Sequence, residues 1–315
     1  MNGSRISIYG DKRQTNYPPP KKIEQEWQEL DYFQTFKMET VPLDLVFAGF
    51  RVGNVGALVA PGGVGKSFFA LQLATQVAGG KDFLGFGELK KGKVVYLSAE
   101  DDFVLIQHRI KAINEGVKDE QVREISENVK IIPRCGYQNN IMDDSWFEML
   151  LSKCKGARVL IIDTLRRIHF LDENSSSDMS HVLSRMEELA HRAGCAVLFL
   201  HHTNKGASAN GSGDSQGASR GSSVLVDNIR FQANLIAMNE QEESKYDIQQ
   251  GLKKNFVRFV VSKQNSGASQ EDVWLRRVAG GRLEKADMVL RREDQKINNQ
   301  VFDLGHSQKS YRGRV

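Results

Sequence analysis

The chain has 315 residues, of which 40% are hydrophobic and 26% are charged, the composition of an ordinary soluble globular protein. This length allows one large α/β domain with tails, or two small domains. No apolar run approaches the roughly 18 residues of a membrane-spanning helix, and we expect no membrane partner. The net charge of +4 is concentrated at the two ends, which suits a polyanionic partner or simply solvated tails.

The cysteines and the start of the chain indicate the compartment. Cys135, Cys154 and Cys195 are odd in number and contain no close pair, which favours free thiols in a reducing environment over a zinc site. The first residues contain no apolar segment of the kind that a secretory signal requires. We therefore expect a cytoplasmic protein.

Three regions are predicted along the chain. Residues 1–40 form an N-terminal extension with a polar, proline-rich start. Its apolar residues from Ile23 to Phe36 have helical spacing, which predicts a helix that packs on the core or on a neighbouring subunit. Residues 41–282 are expected to form the main domain, and residues 283–315 a basic C-terminal tail outside the core.

A phosphate-binding loop is predicted near the start of the main domain. Residues 55–60 form an apolar strand, a glycine-rich turn follows, and Gly65-Lys66-Ser67 begins an apolar helix. This strand–loop–helix order is the context that a P-loop requires, although Ala60 replaces the usual first glycine. A nucleotide is therefore expected to contact Pro61, Gly62, Gly63, Val64, Gly65, Lys66, Ser67 and Phe68.

The chemistry of such a loop depends on these residue types. The glycines let consecutive backbone N–H groups point at one anion, and the helix N-terminus adds partial positive charge. Lys66 would neutralise the β- and γ-phosphates, and the Ser67 hydroxyl would bind Mg²⁺. The sequence therefore predicts a nucleoside triphosphate and Mg²⁺ as ligands.

Two later apolar strands end in acidic residues. Residues 93–98 are followed by Glu100, Asp101 and Asp102, at the strand end where open α/β sheets place their chemistry. Residues 158–162 are followed by Asp163, about a hundred residues after the phosphate loop. Apolar strands that end in Asp are common, but this position predicts that Asp163 holds Mg²⁺.

The next elements lead to a pair of histidines. A helix is predicted from Met179 to Ala193, followed by a buried strand that ends at His201 and His202. Adjacent strand residues face opposite sides, so we expect only one histidine, His202, to face the nucleotide. A metal pair is the alternative, without a third ligand nearby in the sequence.

The segment from Thr203 to Gly221 is almost free of apolar residues. Loops of this length are usually functional or disordered, so this one either contacts phosphates through Lys205 and Arg220 or is a flexible linker. Further strands and helices are expected at residues 103–115 (helix), 129–133 (strand) and 256–265 (strand).

In this order, the motifs resemble those of RecA-like ATPases. They are most similar to the RepA-type hexameric replicative helicases of mobilisable broad-host-range plasmids. The matching stretches are residues 55–67, 162–167, 199–202 and 218–230, within about three quarters of the chain.

The resemblance implies an α/β fold with a RecA-like core, in which helices flank a mainly parallel, twisted sheet. It implies an ATP- and Mg²⁺-dependent DNA helicase for plasmid replication, a hexameric ring that moves along single-stranded DNA. It also implies a plasmid initiator and a primase as protein partners. For the residues, it implies that Glu100 orients the attacking water and that His202 senses the γ-phosphate. Arg230 would be an arginine finger that acts on a neighbouring subunit's nucleotide.

The resemblance also implies that two loops, residues 166–178 and 203–221, line a central pore. Their DNA-contacting candidates are Arg166, Arg167, Lys205 and Arg220. Lys263 is a secondary candidate at the subunit interface, because related helicases carry a Lys-x-Arg pair there and Asn265 replaces the arginine.

Other functions share these motifs. A RecA-like ATPase that pairs or remodels DNA would not unwind it, and would form open filaments instead of a closed ring. A P-loop kinase would need a lid arginine and an acceptor pocket, which the sequence does not locate. A nucleotide-gated assembly module would recruit replication proteins without unwinding DNA.

Overall fold

A computed structural model describes residues 29–202, 224–267 and 270–291. The chain divides into two compact units, Met1–Pro42 and Leu43–Val315. In the described part of the first unit, the six-residue helix α1 (Tyr32–Lys37) begins where the Asp31 side chain accepts a 2.8 Å hydrogen bond from the Gln34 N–H. The predicted amphipathic helix is thus described only in part, since residues 23–28 lie outside the described residues.

The second unit is built on a nine-stranded sheet with the order β11-β10-β9-β8-β3-β7-β6-β4-β5, beside a small hairpin of β1 and β2. The strands are β1 (Leu45–Phe47), β2 (Phe50–Arg51), β3 (Val55–Ala60), β4 (Lys93–Ser98), β5 (Val129–Pro133), β6 (Ala157–Asp163), β7 (Ala196–His202), β8 (Phe231–Ala237), β9 (Phe256–Gln264), β10 (Val273–Arg277) and β11 (Leu283–Lys285). Strands β8, β3, β7, β6, β4 and β5 are parallel, whereas β9, β10 and β11 form an antiparallel edge.

Helices pack on both faces of this sheet and give two hydrophobic clusters. The helices are α2 (Lys66–Val77), α3 (Phe103–Ile113), α4 (Asp119–Asn128), α5 (Asp144–Cys154), α6 (Ser176–Ala193), α7 (Val224–Asn228) and α8 (Glu240–Lys245). One cluster contains apolar side chains of α2, α3 and α4, and the other contains those of α5, α6 and α7. None of the helices within the described residues is long and apolar enough to cross a membrane.

The central strands are buried on both faces, which explains their continuous apolar sequences. Every residue of β3 is buried, and so are six of the seven residues of β7. The strands predicted at 93–98 and 129–133 are confirmed at those bounds. The helix predicted at 103–115 ends at Ile113, and the one predicted from Met179 begins earlier, at Ser176.

The prediction that the core ends at residue 282 is wrong. Leu283 is fully buried and begins β11, which pairs with β10 in the register Arg277↔Leu283. A three-residue strand is too short to show a period in the sequence, and its pairing depends on a partner strand rather than on its own composition. The sheet therefore extends into the segment predicted to be a tail.

Candidate nucleotide-binding site

The turn between β3 and α2 has the backbone of a phosphate-binding loop. Gly63 and Gly65 adopt φ angles of 80° and 105°, in the left-handed region that side chains disfavour. A Cβ at Gly62 or Gly63 would meet no atom within 4 Å, so the loop is open on that side. Helix α2 begins at Lys66 and has no side-chain cap, which leaves its first N–H groups available to an anion.

Lys66 is buried behind this loop. Its exposed fraction is only 6%, and its Nζ lies 3.4 Å from Nδ1 of His202. Burial lowers the pKa of Lys66, and the negative charges of Asp163 and Glu100 partly oppose that shift. An anionic ligand next to this buried amine would stabilise its charged form and so raise its pKa again.

Strand pairing brings His202 to the lysine. The parallel strands β3 and β7 pair Ala60 with His202 and Val59 with His201, so His202 lies where β3 enters the loop. His201 is buried, with its ring centre 6.4 Å from that of Phe199. The structure therefore places His202 at the phosphate loop, as the alternation of strand residues predicts, and its role as a γ-phosphate sensor stays a prediction.

Asp163 ends β6 and is completely buried beside α2. Its Oδ2 accepts a 2.7 Å hydrogen bond from the Tyr96 hydroxyl, whose oxygen is also 3.3 Å from the Ser67 carbonyl oxygen. Burial raises the pKa of Asp163 to about 6, an effect that the hydroxyls of Tyr96 and Ser67 oppose. Its Oδ1 is buried and has no hydrogen bond within the described part of the chain.

These oxygens fit a magnesium site. Mg²⁺ prefers oxygen ligands, typically one or two carboxylates together with substrate phosphates. The unbonded Oδ1 of Asp163 and the nearby Ser67 hydroxyl are such ligands, next to the phosphate loop. Ser67 and Asp163 therefore fit the Mg²⁺ role that the sequence predicts for them, and that role stays a prediction.

The three consecutive acids after β4 have different environments. Asp102 caps α3 by accepting a 2.8 Å hydrogen bond from the Leu105 N–H. Asp101 forms a largely buried ion pair with Arg109. Glu100 is exposed, and it makes no hydrogen bond or ion pair with any described residue. Its carboxylate is therefore the one available to a water molecule at this edge of the sheet.

The DNA-contacting candidates are only partly described. Arg166 and Arg167 are exposed in a 3₁₀ turn, Leu165–Arg167, directly after Asp163 at the carboxyl edge of the sheet. Lys205 and Arg220 lie outside the described residues. The two described arginines are thus on the same edge as the phosphate loop.

Arg230 lies at the amino-terminal end of the parallel strands, opposite the end that carries the phosphate loop. It precedes β8, and its N–H donates a 3.2 Å hydrogen bond to the carbonyl oxygen of Val55, at the amino end of β3. The phosphate loop follows the carboxyl end of that strand. The Arg230 side chain is exposed and makes no hydrogen bond or ion pair with other described residues.

The Lys263 side chain is hydrogen-bonded to the backbone of its own chain. Its Nζ donates hydrogen bonds of 2.8 and 2.9 Å to the carbonyl oxygens of Val226 and Asp227 in α7. Unpaired carbonyls at a helix C-terminus attract cations, and this lysine satisfies two of them. The structure therefore gives Lys263 a partner in its own chain, close to the segment that leads to Arg230.

Two residues of this site are absent from the sequence-based predictions. Tyr96 is predicted only as part of an apolar strand, although a hydroxyl in a buried strand needs a partner and so signals a polar site. Arg277 contacts the phosphate loop from β10, more than two hundred residues away in the sequence. No local pattern marks that contact.

Comparison with known families agrees with this geometry. Residues 24–208, more than half of the chain, match the model of the family described as "AAA domain", and the chain belongs to that family. The match includes the phosphate loop, Glu100, Asp163 and His202, and ends before Arg230.

Two solved structures share the fold. One, described as an ATPase domain, superposes with a TM-score of 0.56 and 16% identity, over 81% of this chain and 96% of the other. "The Structure Of A DnaB-Like Replicative Helicase And Its Interactions With Primase" gives a TM-score of 0.54 and 15% identity, over 81% of this chain and 65% of the other. The α/β fold with a mostly parallel sheet, that of RecA-like helicase ATPase domains, is thereby confirmed.

Proposed function

We propose that this chain is an ATP-dependent DNA helicase, the motor subunit of a ring that moves along single-stranded DNA. The observation that carries this proposal is the convergence at one sheet edge. There, the Lys66 amine lies 3.4 Å from His202, Asp163 has an oxygen without a hydrogen bond among the described residues, and Glu100 is exposed. The similarity of the fold to that of a replicative helicase is the reason to propose DNA unwinding as the work that ATP hydrolysis drives.

Different residues of the chain have different roles in ATP hydrolysis. The N–H groups of the loop and the Lys66 ammonium bind the β- and γ-phosphates. Ser67 and Asp163 would hold Mg²⁺, which would supply positive charge to offset the charge that develops on the phosphates. Glu100 accepts a proton from the attacking water and fixes its direction. His202, next to Lys66, is placed to respond when the γ-phosphate leaves.

The ring supplies what a single subunit lacks. Arg230 lies at the edge of the sheet opposite the phosphate loop, so it serves the nucleotide of a neighbouring copy. Arg166 and Arg167, with Lys205 and Arg220, contact the DNA backbone. A hexamer, a role in plasmid replication, and a primase and a plasmid initiator as partners belong to this proposal through the resemblance to RepA-type helicases.

One sample tests the proposal in three ways. We expect the wild-type chain with ATP and Mg²⁺ to hydrolyse ATP faster when single-stranded DNA is added, to unwind a forked duplex, and to form a closed ring by particle mass. Lys66→Ala, which removes the ammonium group that would bind the β- and γ-phosphates, is the control that should neither hydrolyse ATP nor unwind DNA. Filaments that hydrolyse ATP without unwinding would show a DNA-pairing ATPase, and would overturn the helicase.

A further inference from the structure

A cation outside the residues assigned above contacts the phosphate loop. Arg277 lies on β10, and its Nη2 donates a 2.6 Å hydrogen bond to the carbonyl oxygen of Val64. Its Nη1 lies 3.5 Å from the carbonyl oxygen of Lys254. Arg277 is well beyond residue 208, where the match to the family ends. The antiparallel edge of the sheet is therefore joined to the loop that would hold the phosphates.

The bonded carbonyl fixes the direction of a donor. It belongs to the peptide bond between Val64 and Gly65. In a planar trans peptide, the C=O and N–H groups point in opposite directions. A carbonyl that faces Arg277 consequently turns the Gly65 N–H away from Arg277. Successive N–H groups directed to one side of such a turn are what bind an anion.

The glycine at 65 leaves room for this hydrogen bond and allows the backbone angle at the turn. Its φ of 105° is rarely adopted by other residues, and a Cβ there would lie 3.0 Å from Nη2 of Arg277. Glycine also has more conformational freedom than any other residue, so the peptide before it can rotate unless something holds it. The guanidinium is the group that holds it.

The hairpin that carries Arg277 is itself fixed to the helix of the loop. The Gln72 side chain in α2 donates a 2.8 Å hydrogen bond to the Leu283 carbonyl oxygen and accepts another of 2.8 Å from the Leu283 N–H. Leu283 pairs directly with Arg277 across the hairpin. The guanidinium is thus held against the loop by a buried contact on the neighbouring strand.

We propose that Arg277 is a positioning residue for nucleotide binding, which holds the Val64–Gly65 peptide so that the Gly65 N–H points at the β-phosphate. It acts through the backbone and does not touch the nucleotide. The inference rests on the proposed function, and it gives strand β10, in the antiparallel part of the sheet, a role in nucleotide binding. Hydrogen bonds from charged donors are stronger than neutral ones, so the orientation is well maintained.

Mg·ADP is the probe, because its β-phosphate would occupy the loop without turnover. Its dissociation constant is measured by titration calorimetry for wild type, Arg277→Gln and Arg277→Lys, together with amide hydrogen exchange of residues 62–66. Arg276→Gln is the matched control: the neighbouring residue on β10 is exposed and has no hydrogen bond to the loop within the described residues. We expect Arg277→Gln to weaken binding about tenfold and to accelerate exchange in the loop. Arg277→Lys keeps the charge and should lose less affinity, whereas Arg276→Gln should behave as wild type.

The possible outcomes distinguish a failure of the proposed function from a failure of the inference about Arg277. A wild-type chain that does not bind Mg·ADP would overturn the proposed function and this inference together. If wild type and Arg276→Gln bind, and Arg277→Gln binds as tightly with unchanged loop exchange, only the inference is overturned. If Arg277→Gln does not fold, the same two measurements on Arg277→Lys test the inference. Wild-type affinity and wild-type exchange in that variant would show that the loop does not need the guanidinium.

Discussion

Three neighbouring carboxylates after β4 have different environments, and only one of them is free of structural partners among the described residues. Asp102 is occupied by the first turn of α3, and Asp101 by Arg109. Both therefore hold the chain that presents Glu100, which stays exposed beside the phosphate loop. The negative charge of Glu100 is one of the two that oppose the lowering of the Lys66 pKa by burial. An enzyme needs both a free base and a rigid support for it.

The first prediction concerns these acids. Glu100→Gln should bind Mg·ATP as wild type does but lose about 10²- to 10⁴-fold in turnover, because only the acceptance of a proton from water is removed. Binding is measured by calorimetry and turnover by phosphate release. Asp102→Asn is the control, since asparagine is an equally good helix cap, and it should keep wild-type activity. Wild-type turnover in Glu100→Gln, with a loss in Asp101→Asn, would assign the base to Asp101.

Sequence reasoning located the residues that lie in local motifs. Lys66 and Ser67 follow from the glycine turn, and Asp163 and His202 follow from apolar strands that end in a polar residue. The structure brings Lys66 and His202 together through strand pairing between β3 and β7. Tyr96 was missed because its function lies in a contact with Asp163, and contacts across a sheet leave no local pattern.

Among the elements, most strands of the parallel core and the antiparallel strand β9 were predictable, whereas β10 and β11 were not. Strands such as β3 and β6 are long, apolar and buried on both faces, so their sequences alone identify them. Strands β10 and β11 are short and partly exposed. Their place in the sheet is set by distant partners such as Gln72, which a single sequence does not reveal.

A second prediction tests how much that edge stabilises α2. Gln72→Leu removes both hydrogen bonds to Leu283 and leaves its buried N–H and C=O unpaired, which should cost about 2–4 kcal/mol of unfolding free energy. Denaturant unfolding gives this value. Gln76→Leu, in the same helix and also buried, is the matched control. Gln76 makes one 3.1 Å hydrogen bond, to the exposed Gly87, and its Oε1 already lacks a partner among the described residues.

The control variant should therefore lose at most about 1 kcal/mol, because solvent can replace its one partner and the unpaired Oε1 disappears. Equal losses in the two variants would show that the contact with Leu283 does not hold the hairpin to α2. The comparison isolates that contact because the helix and the substitution are the same in both proteins.

At the scale of the whole domain, the length of the parallel strands separates Arg230 from the phosphate loop. Lys66, Asp163 and Glu100 lie at the carboxyl edge, whereas Arg230 adjoins Val55 at the amino edge. The six residues of β3 span about 20 Å, much more than an arginine side chain. Arg230 therefore cannot reach the nucleotide of its own subunit. If it acts in catalysis, the nucleotide belongs to a neighbouring copy.

The third prediction follows from that separation. Arg230→Ala should bind ATP, assemble and unfold at the same denaturant concentration as wild type, because its side chain is exposed and unbonded within the described part of the chain. Its ATPase rate should fall by about 10³- to 10⁵-fold, the usual effect of an arginine at the developing charge of the γ-phosphate. ATP binding, particle mass, unfolding and phosphate release are measured on the same preparation.

Mixed rings decide whether Arg230 acts on a neighbour. Lys66→Ala inactivates the site of its own subunit, whereas Arg230→Ala would inactivate the adjacent site. Neither variant alone has a complete site. When both are mixed and reassembled, some interfaces join an intact Lys66 to an intact Arg230, and ATPase activity should return at those interfaces. Assembly without any return of activity would mean that Arg230 does not complete a neighbour's site, since a residue supplied between subunits must restore activity wherever the two intact halves meet.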